Sequence, residues 1–357
     1  MQRNTINLKK MLLATTIAGV IAAPAAAQTG VTVSGLVDVF AGSLKNAGDT
    51  DRKSVVDSGG MTTSWFGIKG SEDLGGGLKA NFLLTSFIKA DTGVQGRFTG
   101  DTLFSRDANV GLSGSFGGIS LGRELAPHFL PTILFNPFGD SYTFAPLILH
   151  ADVPTFNSTT GAPTWSGSIA ADTGWSNSIR YTTPNIGGMT ANIHYQFGEV
   201  AGDTGTNNVG VNMLYFRGPF AFTAFYHNVD VPNPTSASFF GAPGAATNQK
   251  AWMLGGSYEF NVAKLFATYG QTKHDTDLED KTVSLGVSVP VGQGKILAAW
   301  AQTRRDDLGI ELKRNTTSIG YDYNLSKRTD LYAIYMNDRI TDLDSGNSFG
   351  LGMRHRF

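Results

Sequence analysis

The sequence predicts an all-β chain whose sixteen antiparallel strands close into a transmembrane barrel. Three observations predict it. Many segments of about ten residues alternate apolar and polar side chains with period two. After residue 27 no apolar run reaches the length of about 20 residues that a membrane helix needs. Tight turns rich in Gly or polar residues alternate along the chain with long polar connections. Mean hydropathy is −0.09, a value shared by soluble proteins and by barrels, because half the residues of a barrel strand face water.

The first residues read as an export signal. Arg3, Lys9 and Lys10 precede the apolar run MLLATTIAGVIAA, and small residues follow, so residues 1–27 form a signal peptide cut after Ala27. The competing reading, a single membrane anchor, is disfavoured by the short apolar run. Removing those three basic residues and no acid leaves 25 Lys and Arg against 29 Asp and Glu, so the formal charge goes from −1 to −4. That balance argues against nucleic acid as a partner, which calls for a basic face. Cys is absent, which excludes disulfides and thiolate chemistry.

The strands follow in order. The first, 30–42, sets Val31, Val33, Val37 and Val39 on one face and Thr32, Ser34 and Asp38 on the other, the side expected to meet water. The second, 61–71, places Phe66 and Ile68 outward, so Trp65 and Lys69 share the inner face. EDLGGG turns the chain into 77–90, followed by 101–114, 118–124 and 175–184; in the last, Ile179 and Tyr181 point outward and Arg180 inward. PNIGG leads into 188–198, then 207–217, 219–229 and 250–260, where Trp252, Leu254, Tyr258 and Phe260 align. The segments 262–274, 281–289, 293–305 and 314–324 are joined in part by VGQG, and 281–289 alternates Val283, Leu285, Val287 and Val289 with Ser284, Gly286 and Ser288. NLSKR turns into 328–338, and 347–357 ends the chain with Phe349, Leu351, Met353, His355 and Phe357 on one face and Arg354 and Arg356 on the other. In a bilayer an open sheet edge leaves backbone groups unpaired, at several kcal/mol each, so the sheet must close. Sixteen strands return the last to the first. The competing architecture is a secreted β-helix or sandwich, but an outward apolar face on every strand suits lipid better than a finite core.

The chain resembles the general porins of Gram-negative outer membranes, particularly those of β-proteobacteria. The resemblance rests on FGIKGSEDLGGGLKANF (66–82), LFSRDANVGLSG (103–114), FGGISLGRE (116–124), NSIRYTTPNIGG (177–188), YEFNVAKLFATYG (258–270), GYDYNLSKRTDLYAIY (320–335) and GLGMRHRF (350–357), in the same order. It implies one barrel domain over 28–357, a homotrimer, contact with outer-membrane lipid and lipopolysaccharide, and a terminal Phe357 that resembles the signal read by the barrel assembly machinery. It also implies that the long connection at about 125–174 folds inward as a constriction loop, where a surface loop of that length is already unusual. NPFGDS (136–141) resembles the loop-tip motif and places Asp140 near the narrowest point.

Arg106, Arg123 and Arg180 resemble the family's basic cluster on the wall opposite the loop. An inward Arg180 is also favoured physically, since an arginine facing lipid costs roughly 2–4 kcal/mol at the midplane. Basic wall and acidic loop would bias ion passage electrostatically; alternatively, these guanidiniums brace wall carboxylates or loop carbonyls. The chain departs from the family where Trp65 replaces an arginine and where Leu83 and Thr85 replace an amide and a carboxylate. With Phe129, Leu130, Ile133, Leu134 and Phe135 in the loop, either the aperture is less polar and favours aromatic solutes, or these side chains anchor the loop. The constriction set is therefore Arg106, Arg123, Arg180, Asp140, Trp65, Lys69 and Asp38.

No cofactor is expected. Asp203, Asp275, Asp277, Glu279 and Asp280 are candidates for adventitious Ca²⁺ or Mg²⁺ near external loops, but their spacing matches no EF-hand. Six scattered histidines and no HExxH motif point away from an enzyme. The expected function is passive diffusion of small hydrophilic solutes and ions across the outer membrane with weak charge selectivity. The alternative is a channel favouring organic or aromatic acids, and a purely adhesive barrel is a further alternative.

Overall fold

The computed structural model describes residues 30–98, 100–157, 160–199, 201–202, 205–231 and 248–357. The signal peptide expected at 1–27 and Asp203 lie outside the described residues. The barrel strands are β1 (Gly30–Leu44), β2 (Trp65–Gly75), β3 (Leu78–Lys89), β4 (Asp107–Gly114), β5 (Gly117–Leu125), β6 (Gly174–Thr182), β7 (Met189–Phe197) and β8 (Asn207–Arg217). They continue as β9 (Phe220–Val229), β10 (Gln249–Glu259), β11 (Lys264–His274), β12 (Leu278–Val291), β13 (Gly294–Asp307), β14 (Ile310–Asn324), β15 (Thr329–Ile340) and β16 (Gly346–Arg356). Each pairs antiparallel with the next.

Closure occurs at β1. Its second half pairs with β16, from Leu36 opposite Arg356 to Ser43 opposite Phe349. Its first half pairs with β2, from Gly30 opposite Ser71 to Leu36 opposite Trp65. Beyond that point the short strand Lys53–Ser58 takes over the same edge of β1, so neither edge is left open. Phe357 continues the closure: its N–H donates to the Gly35 carbonyl at 3.0 Å, and its own carbonyl accepts from Gly35 N–H at 3.1 Å.

Alternation along the strands sorts the two faces. Val33, Ile179, Leu285, Leu351 and Met353 lie exposed on the outside, the last 54% accessible. This belt is the surface that hydrocarbon covers. Opposite it, Asp38, Phe40, Thr303, Arg314, Thr316 and Ser318 are all buried on the inside. All but Asp38 are covered by the segment between β5 and β6, which carries two short helices, α1 (Phe129–Leu134) and α2 (Pro146–Asp152). The apolar core of this protein therefore lies in the barrel interior. Phe138, Phe144, Ala145, Ile148 and Leu149 of the loop pack on Phe40, Leu297, Ala299, Tyr332, Ile334 and Met336 of the wall.

Candidate functional site

The loop is fixed to the wall by apolar contacts and by specific polar ones. Pro146 opens α2, where its missing N–H costs nothing, and the helix is buried along Pro146–Ala151. The Phe144 ring meets Phe40 edge-on at 5.5 Å. Backbone carbonyls that a loop would otherwise leave unsatisfied in the interior find donors on the wall: Ser318 Oγ donates to Phe144 O at 2.7 Å, and Arg314 Nη1 to Leu149 O at 3.0 Å. Arg314 is simultaneously paired with Asp338 at 3.0 Å. His150 on α2 sits between the hydroxyls of Thr303 and Thr316, each at 2.8 Å. Burial, reinforced by Arg314 and Arg305, drives the His150 imidazole well below its usual range, so it is neutral. On the return path, Gln249 accepts from Ala170 N–H and donates to Ser168 O, each at 2.9 Å. Arg305 stacks on Trp165 with 4.0 Å to the ring centroid while paired with Asp280.

The tip is built differently. Asn136 bonds its own turn, with Nδ2 donating to Gly139 O at 2.9 Å and Oδ1 accepting from Phe138 N–H at 2.9 Å. This presents Asp140 half-buried beside the wall. The Thr62 side chain lies beside the Asp140 carboxylate, and Arg106 and Arg354 are the cations whose charge acts on it. Arg106 lies over Trp65 with 4.3 Å to the ring centroid and reaches Phe87 at 6.0 Å. Asp107 is 3.9 Å from its Nε, and among the described residues its guanidinium makes no hydrogen bond. Lys69 lies exposed on the face shared with Trp65, opposite Thr32.

The other members of the expected set fall elsewhere. Arg180 is inward, opposite Ser120 and His194, and is paired with the buried Glu124 at 2.8 Å. The expected lumen exposure of Asp38 does not hold. Its carboxylate is closed from water and accepts from Met61 N–H at 2.9 Å, Thr62 N–H at 2.8 Å, Gly60 N–H at 3.2 Å and the Tyr332 hydroxyl. Arg123 is also corrected. It is in phase with Ile119 and Leu121, which face outward, and not with Glu124. Its donors are engaged by Ser105 O at 2.7 Å, Gly174 O at 2.8 Å, Ser176 Oγ at 2.9 Å and Asp172 at 2.7 Å. Phe129 and Phe135 are buried anchors, whereas Leu134 stays exposed.

Arg97 and Asp172 were not found from the sequence, and Arg354, read as inward, was not placed in the constriction set. Arg97 bridges Asp101 at 2.8 Å and Asp172, which also holds Arg123. Burial would raise the Asp172 carboxyl, but Arg97 and Arg123 outweigh it and hold the group below its ordinary value. Arg354 bonds Asp330 at 3.0 Å, Asp322 at 3.3 Å and Thr62 Oγ1 at 2.8 Å. Among the described residues no cluster of three or more His, Asp or Glu side chains is placed to hold a metal, and Glu279 lies between Lys273 at 3.0 Å and Lys281 at 2.7 Å.

Comparison with known proteins places this architecture. The family model for Gram-negative porins matches residues 14–343. Outer membrane porin protein 32 of Delftia acidovorans is 34% identical over 91% of this chain and 88% of its own length. An outer membrane porin protein of Bordetella pertussis is 27% identical over 98% of this chain and its full length. Among solved structures, an anion-selective porin from Comamonas acidovorans superposes with a TM-score of 0.74 at 26% identity, covering 92% of this chain and all of that one. A closed sixteen-stranded barrel with an apolar belt outside and an interior narrowed by a packed loop is thus accounted for: the chain belongs to the Gram-negative porin family, an outer-membrane channel that passes solutes passively and catalyses no reaction.

Proposed function

We propose that the channel is weakly anion-preferring and that its aperture lies between Asp140 on the loop and Arg106, Trp65, Lys69 and Arg180 on the wall. One observation carries this reading: the inward carboxylates are closely paired with cations, while among the described residues Lys69 has no such pair and Arg106 has only the distant Asp107 at 3.9 Å. Glu124 is held by Arg180, Asp280 by Arg305, Asp330 by Arg354 and Arg356, and Asp338 by Arg314. Arg106 and Lys69 keep their charge for passing ions. The similarity to a porin named as anion-selective agrees with this sign. Planar-bilayer recording tests it: the reversal potential under a KCl gradient should favour chloride, and a potassium preference would overturn it.

The vestibule supports a second, narrower reading. Phe87, Phe98, Tyr142 and Phe156 line a pocket of about 690 Å³ together with Lys89, Arg97 and the carboxylates of Asp57 and Asp152. Rings and cations together suit organic or aromatic carboxylates. Saturable block of conductance by an aromatic acid supports this reading; strictly size-dependent flux contradicts it. We further propose removal of residues 1–27, a single domain over 28–357, assembly guided by Phe357, contact with lipopolysaccharide and association as a homotrimer, for which conductance should rise in steps of three.

A further inference from the structure

We infer that Asp38 and Tyr332 are positioning residues for the constriction: together they set where the loop tip, and with it Asp140, stands against the wall. The inference rests on the proposed aperture between Asp140 and the basic wall. Asp38 projects inward from β1 and Tyr332 from β15, and the two strands flank β16. Their side chains meet over Gly352, opposite both Phe40 and Tyr332 on β16, where a Cβ would come within 2.2 Å of the tyrosine ring. Gly60 is equally constrained, since a Cβ there would come within 2.1 Å of the Tyr332 hydroxyl. The site is built to a tolerance that excludes even a methyl group.

From this point two relays of bonds run to the loop. The Asp38 carboxylate takes the N–H groups of Gly60, Met61 and Thr62, and Ser64 Oγ donates to the Asp38 carbonyl at 3.0 Å. The segment 59–62 is thereby fixed although it belongs to no strand. Its carbonyls then hold the loop tip: Ser141 Oγ donates to Gly60 O at 2.6 Å and Thr143 Oγ1 to Gly59 O at 3.2 Å. Ser141 and Thr143 bracket Tyr142 and directly follow Asp140. The second relay passes through Thr62, whose side chain lies beside the Asp140 carboxylate and accepts from Arg354 Nη1 at 2.8 Å. A carboxylate closed from water, 102 positions earlier in sequence, thus fixes the acidic tip from two directions.

This role differs from that of a pore charge, and substitutions separate the two. Asp38→Asn removes the charge but keeps an oxygen for Met61 and Thr62, and its amide can donate to a rotated Tyr332 hydroxyl, at the loss of the longer bond from Gly60 N–H. Asp38→Ala removes every acceptor. A positioning role predicts near-normal single-channel steps for Asp38→Asn. For Asp38→Ala it predicts about tenfold more time in displaced, sub-conducting states, the ratio expected for the loss of about 1.4 kcal/mol of buried bonding. Ser141→Ala, which cuts the relay at its far end and leaves the wall intact, should reproduce this noise. It keeps the inference testable if Asp38→Ala fails to assemble. Each variant is first matched to the wild type for heat-resistant oligomer yield, so that simple misfolding is excluded. Equal shifts in reversal potential for Asp38→Asn and Asp38→Ala, without added noise, would overturn the inference, and so would a quiet Ser141→Ala channel. The proposed aperture is tested apart from this by Asp140→Asn. If that variant changes ion preference while the Asp38 and Ser141 series is silent, the aperture stands and the positioning role falls; if Asp140→Asn is also silent, the aperture itself is wrong.

Discussion

Two neighbourhoods of arginine, both expected to be pore charges, turn out to be built in opposite ways. Around Arg123, Arg97 and Asp172, charges are matched and donors are engaged by carbonyls and hydroxyls, so the cluster joins the end of the loop to the barrel rim. Around Arg106, the guanidinium lies on a tryptophan face, with Asp140 across from it and no hydrogen bond among the described residues. Both are arginines near the ends of neighbouring strands, but Arg106 precedes β4 whereas Arg123 lies within β5, in phase with its outward residues. The difference is whether the neighbours neutralise the charge, and only an unneutralised charge can act on a passing ion.

Removing the apolar anchor should blur the comparison most. Phe144→Ala empties the interior contact with Phe40 and should cost about 3–5 kcal/mol, seen as an earlier thermal transition and a larger, noisier conductance. Arg123→Gln should come next, at about 2 kcal/mol, because Asp172 keeps Arg97 but the carbonyls of Ser105 and Gly174 lose their donor. Its thermal transition should fall while its ion preference stays that of the wild type.

Acid sharpens the same contrast. The Asp172 carboxyl is depressed in the folded protein, so its contribution is fully present above the unfolded value of about 3.9 and fades only as pH falls through the lower folded value. Step size and noise should therefore hold constant from about pH 7 to about pH 5; early noise in that interval would show that the rim cluster does not hold the loop. The smallest effect is expected for Lys69→Ala, within about 0.5 kcal/mol in stability, with a slight fall in chloride preference read from the reversal potential.

Much of the barrel was legible because lipid on one side and water on the other impose a period of two. Ile179 outward with Arg180 inward, and Leu351 and Met353 outward with Arg354 inward, follow from alternation alone. Strand ends were less legible. The second strand was expected from 61 but begins at Trp65, because Met61 and Thr62 give their N–H groups to Asp38 and not to a ladder. The fourth was expected from 101 but begins at Asp107, because Asp101 turns back to Arg97. Strands β12 and β14 begin earlier than expected, at Leu278 and Ile310: Glu279, Asp280 and Lys281 put charge on both faces of β12, whereas the alternation of Ile310 and Leu312 with Glu311 and Lys313 was a legible signal for β14.

The candidate site was legible only in part, for a related reason. Asp38 was read correctly as inward, yet inward proved not to mean exposed, since Gly60, Met61 and Thr62, outside any strand, and Tyr332 close over its carboxylate. Arg123 failed because its partners, Asp172 and Gly174, are some fifty positions distant. Arg97, Asp172 and Tyr332 carry no local pattern at all; their roles exist only once the loop is inside the barrel.

The most direct test of the account is the reversal potential under a KCl gradient for Arg106→Gln measured beside Arg123→Gln. The predicted result is a shift toward potassium for Arg106→Gln and none for Arg123→Gln. An unchanged potential for Arg106→Gln, or an equal shift in both, would contradict it.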